Sequence, residues 1–231
     1  GHIGAHFGLD RGMSTVTNGG TERESLLTRP FLIVTGVAFV FFVYIGMLVP
    51  IVPLFIEGPL GEGEFSIGVT VAVFALAAIC ARPLLGRLAD RYGRRVLMVG
   101  GAAIAGLSGI ASSQISEFWQ LLALRGLTGV GEAALFVGAA TLIADMSPRD
   151  RRAEGASYFS VAVFGGIGMG PIIGEALLDD TNFQRAFVVA GLFAFLAAGL
   201  ALFAPARVDA DDSVEDTIAS AATATGRRRL I

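Results

Sequence analysis

Six long runs without charge or strong polarity constrain this chain more than any other feature: Phe31–Ile56, Ile67–Leu85, Val96–Ser113, Phe118–Ala144, Tyr158–Leu178 and Ala186–Ala204, interrupted only by isolated residues such as Arg82, Arg125 and Glu132. Crossing the hydrocarbon core of a bilayer takes about 20 residues of helix, and each run is near or above that length. Lipid offers no partner for a backbone N–H or C=O, so only helices and closed barrels survive there. Barrel strands alternate polar and apolar residues over about 10 positions. These runs are apolar on every face, so helices are expected. The predicted fold is all-α: a polytopic membrane protein with six transmembrane helices in one bundle.

Composition narrows the function classes. Charged residues make up 16% of the chain, against about 25% in soluble domains. The net charge of −3 gives no electrostatic basis for a nucleic-acid partner. A single cysteine, Cys80, excludes an intrachain disulfide framework or a multi-cysteine metal site. The two histidines, His2 and His6, sit in a polar leader with no acidic or thiol partner at ligand spacing, and Met13 reads as the natural start. No metal site or cofactor is expected. With no histidine and one cysteine in the spans, an intramembrane enzyme fits poorly, so the chain reads as a non-enzyme. All 17 basic residues are arginine, which we read as a trait of the genome and not as chemistry. The first run is too long for the apolar region of a signal peptide and lacks a small-residue cleavage site. It contains Pro50 and Pro53, so tilt or a kink is expected there.

Three regions follow: a disordered tail over residues 1–30, the bundle over 31–204, and an acidic, Ala/Thr-rich linker or tail over 205–231. Arginines orient the bundle. Fourteen fall on one side: Arg11, Arg23 and Arg29; Arg87, Arg91, Arg94 and Arg95; Arg149, Arg151 and Arg152; Arg207 and Arg227–Arg229. The other side has Arg185, while Arg82 and Arg125 lie within or at the ends of spans. The positive-inside rule then puts both termini in the cytoplasm of a cell-membrane protein. The lipid bilayer is the first partner.

Three strings carry chemistry. Gly86-Arg-Leu-Ala-Asp90-Arg91-Tyr-Gly93-Arg94-Arg95 is expected to form a tight hairpin between the second and third helices. Gly86 lets a neighbouring helix approach, Gly93 permits positive φ, and Asp90 can cap a helix end or pair with Arg91 or Arg94. In the fourth helix, Arg125 and Glu132 stand two turns apart on nearly one face. A charge at membrane depth costs about 2.5–3.5 kcal/mol on insertion scales, which points to a cavity or a partner. Snorkelling of Arg125 to the interface is the competing reading, and Arg82 is expected to snorkel. In the fifth helix, Gly166, Gly170 and Gly174 recur every four residues around Pro171, ending at Glu175. That spacing makes a flat stripe for helix contact, kinked by the proline. Phe39, Phe41, Phe42 and Tyr44 of the first helix read as lipid- or core-facing.

Together and in this order, the strings resemble motifs of the major facilitator superfamily. The resemblance covers residues 31–204, one six-helix half of a twelve-helix fold. The hairpin resembles the loop that latches the two halves together, with Asp145 as the acidic partner of a basic residue, Arg94. The string around Arg125 is similar to a helix-four motif associated with proton coupling or substrate handling, although Thr128 stands where glutamine is frequent and Glu132 is less typical. The Gly-Pro stripe resembles the helix-five motif of antiporters, many of them drug exporters, where it packs against the other half. Here the final glycine of that pattern is Glu175, and the glycine two turns upstream is missing. The resemblance implies secondary active transport, namely proton-coupled efflux or antiport of a small molecule, by rocking of two bundles around a midplane site. Arg125, Glu132 and Glu175 are the candidate substrate and proton pathway.

Six helices leave the second half to be supplied. A truncated product, a homodimer and a separately encoded second half all agree with the sequence, and a non-transporting six-helix scaffold is the alternative class. The proposed topology has a direct check. A membrane-impermeant thiol reagent applied from outside is expected to leave Cys80 unlabelled, and rapid external labelling would contradict the orientation.

Overall fold

The computed structural model describes residues 26–178 and 182–206. Most of the expected tails lie outside the described residues, with His2, His6, Arg11, Arg23, Arg207 and Arg227–Arg229. Leu26 is buried and the first helix begins at Arg29, so the last residues assigned to the N-terminal tail belong to the bundle.

Among the described residues six helices are long and apolar enough to span a membrane. They are α1 (Arg29–Glu57), α2 (Glu64–Tyr92), α3 (Arg94–Ala111), α4 (Phe118–Met146), α5 (Arg152–Leu177) and α6 (Phe183–Ala201). Polar signals start several of them. The Thr28 hydroxyl accepts from the Phe31 N–H at 3.4 Å ahead of Pro30, and Glu117 with Gln120 closes a reciprocal capping box on α4. Asn182 accepts from the Arg185 N–H at 3.0 Å to start α6. Pro50 and Pro53 lie inside α1, which is helical throughout.

The ten-residue hairpin expected between the second and third helices is a single residue. α2 continues through Gly86, Asp90 and Arg91 to Tyr92; Gly93, at φ 92°, turns the chain; Arg94 opens α3. The polarity that reads as a loop is a helix end emerging from the apolar layer. Helical hydrogen bonds persist in the interface, and Arg91 in the last turn complements the helix dipole. Gly86 does not admit a neighbour within this chain: a Cβ there would meet nothing within 4 Å.

Packing order differs from chain order. α2 lies on α4, α4 on α3, α3 on α6, α6 on α1 and α1 on α5. α1 also touches α4, and these two helices form the floor between α2 and α5. α2 and α5 are accordingly the least buried spans. The glycine stripe of α5 is taken up inside this bundle. A Cβ on Gly166 would lie 2.6 Å from the Phe39 carbonyl oxygen, one on Gly170 would lie 2.5 Å from Gly46 Cα, and one on Gly174 would lie 2.7 Å from the Met47 oxygen. The expectation that this stripe waits for a bundle outside the chain is therefore corrected. The register of glycines decides it, because the α1 backbone fills the groove they leave.

The opposite face of α5 holds Val161, Phe164, Met169 and Ile172, all exposed. Gly168 lies there too, with open space at its Cβ position. Gly170→Ala is expected to cost about 1–3 kcal/mol by overpacking. Gly168→Ala should be neutral or stabilising by up to about 1 kcal/mol, because alanine is the better helix former. Unfolding of both variants from mixed micelles distinguishes the two faces.

Candidate functional site

Three charged side chains lie within the spans between α1, α2 and α4: Arg82, Arg125 and Glu132. Their placement starts from a crossing contact made by α1. Tyr44 is fully buried, and its phenol donates to the Ala105 carbonyl of α3 at 2.8 Å. Gly109 of α3 makes room for the ring, since a Cβ there would lie 3.1 Å from Tyr44 Cε2. Arg125 and Thr128 of α4 lie beside the phenol. The Thr128 hydroxyl is committed to the Leu124 carbonyl at 2.9 Å. Tyr44 was among the aromatics read as lipid- or core-facing. It is buried with Phe41 and Phe42, and its hydroxyl ties α1 to α3 next to the α4 arginine. Its sequence signal was a lone polar tip in an otherwise apolar run, Phe-Phe-Val-Tyr44.

Arg125 lines a pocket of about 330 Å³ between α1, α2 and α4. The walls are Ile45, Leu48, Val49, Val52 and Pro53 of α1, and Ile67, Thr70, Val71 and Phe74 of α2. Apart from Arg125, its one hydroxyl belongs to Thr70, which is 1% exposed and donates to the Ser66 carbonyl at 2.7 Å. Snorkelling does not describe Arg125. Its side chain is turned toward Tyr44 and this pocket, about two turns into α4 from the Glu117 cap.

Two turns further along α4, Glu132 is 8% exposed. The Arg82 guanidinium is the charge that acts on it. Arg82 also lies over the Phe136 ring, 5.6 Å from its centroid. Phe136 packs against Phe42 and Phe159, at 6.2 and 5.5 Å between ring centroids. Arg82 is an exposed residue whose guanidinium lies toward α4, where the Phe136 ring and the Glu132 carboxylate both attract it.

Glu175 is not part of this constellation. It is exposed near the C-terminal end of α5, beyond Gly174. At the other end of the bundle, Arg94 and Asp145 form an ion pair joining the start of α3 to the last turn of α4. That pairing offsets the unfavourable sign of an acid at a helix C-terminus. Asp90 is exposed, and among the described residues it has no cation within 4 Å, so it pairs with neither Arg91 nor Arg94 here. Arg95 begins α3 beside Arg94.

A bundle of six membrane-spanning helices with charges held at depth between two flanking helices is the architecture of one half of a secondary transporter. The chain belongs to the Major Facilitator Superfamily, whose family model matches residues 34–228. It is 33% identical over 164 residues to the multi-drug resistance efflux pump PmrA of Streptococcus pneumoniae, covering 68% of this chain and 40% of that protein. Over 119 residues it is 42% identical to protein spinster homolog 1 of Homo sapiens, covering 51% of this chain and 22% of the relative. The quinolone resistance protein NorA of Staphylococcus aureus is 29% identical over 159 residues, covering 69% of this chain and 40% of NorA. The solved structure of the proton:xylose symporter XylE shares the fold with a TM-score of 0.66 at 18% identity, covering 77% of this chain and 44% of that one. The matches thus span less than half the length of each relative. The chain is a multi-pass membrane protein of a transporter family.

The Arg94–Asp145 pair is partly exposed, with side chains at 24% and 33%. A double-mutant cycle through Arg94→Ala and Asp145→Ala is expected to give a coupling of about 0.5 kcal/mol, since exposed pairs are worth little. Exchanging the two residues should recover most of it, and recovery read from thermal unfolding tests the pair.

Proposed function

We propose that this chain is the N-terminal bundle of a proton-coupled transporter that exports a small molecule, and that it works with a second six-helix half. The observation that carries the reading is Glu132, a carboxylate 8% exposed in the middle of a span, with Arg125 two turns away on the same helix. Such a group is expensive to keep within a membrane and is a natural carrier for a proton. Arg125 faces the pocket and supplies the contact to substrate. The relatives named as efflux pump and quinolone resistance protein favour export, and XylE, named as a proton symporter, favours coupling to protons. Transport then proceeds by movement of one bundle against the other, with no covalent chemistry.

The missing half has a surface waiting for it. α2 and α5 are the least buried spans, and they offer the second half its contact surface. Asp90, exposed at the end of α2, would meet a helix N-terminus of the partner bundle in this reading. Gly86, with open space at its Cβ position, lies one turn earlier. In this reading both termini face the cytoplasm, with the basic ends of α2, α3 and α5 on that side.

The test pairs the chain with the second half of PmrA in proteoliposomes and follows a quinolone under an imposed proton gradient. Gradient-driven movement is expected from the pair and not from the chain alone. Glu132→Gln should lower the driven flux at least tenfold. Undiminished coupling in that variant removes Glu132 from the mechanism, and robust flux by the unpaired chain overturns the half-transporter reading.

A further inference from the structure

We infer that the pocket between α1, α2 and α4 is a site for a small amphipathic monoanion, with Arg125 holding its acid group. The inference rests on the transporter reading for its purpose, but the pocket itself is built by this chain alone. Its walls are apolar side chains, among them Leu48, Val52, Val71 and Phe74, and they suit an aryl or short alkyl body. The volume of about 330 Å³ holds roughly a dozen non-hydrogen atoms if each takes about 25–30 Å³.

The polar groups decide the sign of the ligand. Every hydroxyl near the arginine has its proton committed to a backbone carbonyl: Thr70 to Ser66, Thr128 to Leu124 and Tyr44 to Ala105. These hydroxyls make no hydrogen bond to the guanidinium among the described residues. None of them carries a charge. Among the described residues no carboxylate lies within 4 Å of Arg125. Glu132 stands two turns away, and the nearby cation acting on it is Arg82, with no direct ion pair between them. Among the described residues, one positive charge thus stands in an apolar pocket without a counter-ion. Cations kept from water are retained where an anion joins them, and the planar guanidinium suits an oxyanion bidentately. A cationic ligand would meet repulsion, and a neutral one would leave the charge unmatched. One arginine matches one charge, so a carboxylate is favoured over a dianionic phosphate.

The test measures binding of four naphthalene probes to the full chain in phosphatidylcholine nanodiscs by saturation-transfer NMR, with protein-free nanodiscs as the baseline. The probes are 2-naphthoate, 2-naphthol, 2-naphthylmethylammonium and 2-naphthyl phosphate. Naphthoate is expected to bind at least tenfold more tightly than the alcohol and the ammonium, and more tightly than the phosphate. Arg125→Gln should bring naphthoate to the level of the alcohol. Val71→Trp, at a position 61% exposed and lining the pocket, should weaken naphthoate at least tenfold with Arg125 intact. A preference below tenfold, a preference that survives Arg125→Gln, a tighter phosphate or no binding above baseline overturns the proposal. Because the measurement needs no second bundle and no gradient, its failure leaves the transport reading standing, and failed transport leaves this site standing.

Discussion

The bundle depends on the approach of two backbones, α1 and α5, at Gly46 and Gly170. In lipid the helices gain nothing by hiding apolar side chains from their surroundings, which are equally apolar. What holds them is close contact of many atoms, and that is largest where no Cβ keeps the backbones apart. A Cβ on Gly46 would lie 2.6 Å from the Ile167 oxygen, and one on Gly170 would lie 2.5 Å from Gly46 Cα. The same device joins α3 to α4, where Gly101 and Gly131 each face the other's carbonyl at 2.6 Å from the Cβ position. With α5 seated on it, α1 becomes the hub that also receives α6 and touches α4.

The polar groups of the spans obey a related constraint. Thr70, Ser108, Ser112, Thr128 and Ser147 each donate to the carbonyl one turn back in their own helix, so they make no demand on a neighbour. Thr35 Oγ1 is buried without a partner among the described residues, and Tyr44 reaches from α1 to α3. That one bond fixes a phenol beside Arg125 and so joins the packing core to the charged site. The remaining charges, Arg82 and Glu132, serve each other across α2 and α4. The site is therefore made by helices far apart in the chain and held by a hub that carries no charge at depth.

Much of the fold was legible. The six spans and their type follow from apolar length, whereas α5 starts at Arg152, six residues ahead of the apolar run expected from Tyr158. The ends of α2 and α3 were not, because the end of an apolar run marks the edge of the hydrocarbon and not the end of a helix. The candidate site was half legible. Arg125 and Glu132 stand out as charges in apolar sequence. Tyr44 shows only a polar tip in an apolar run, since its role comes from Ala105 and Gly109, more than sixty residues away. The neighbours of Arg82 are hidden for the same reason, because Phe136 and Glu132 lie on another helix.

The sequence by itself determined that the chain enters a membrane as six helices, because an unpaired backbone is intolerable in lipid whatever the neighbours are. It also determined which charges are costly at depth, because that cost belongs to the residue and its run. Tertiary structure alone decided what the glycine stripe of α5 touches, since Gly166, Gly170 and Gly174 would fit any close partner and α1 is the one whose Gly46 matches the register. It alone decided that Arg125 faces an apolar pocket with no acid within 4 Å among the described residues, because a counter-ion is supplied or withheld by neighbours in space and not in sequence.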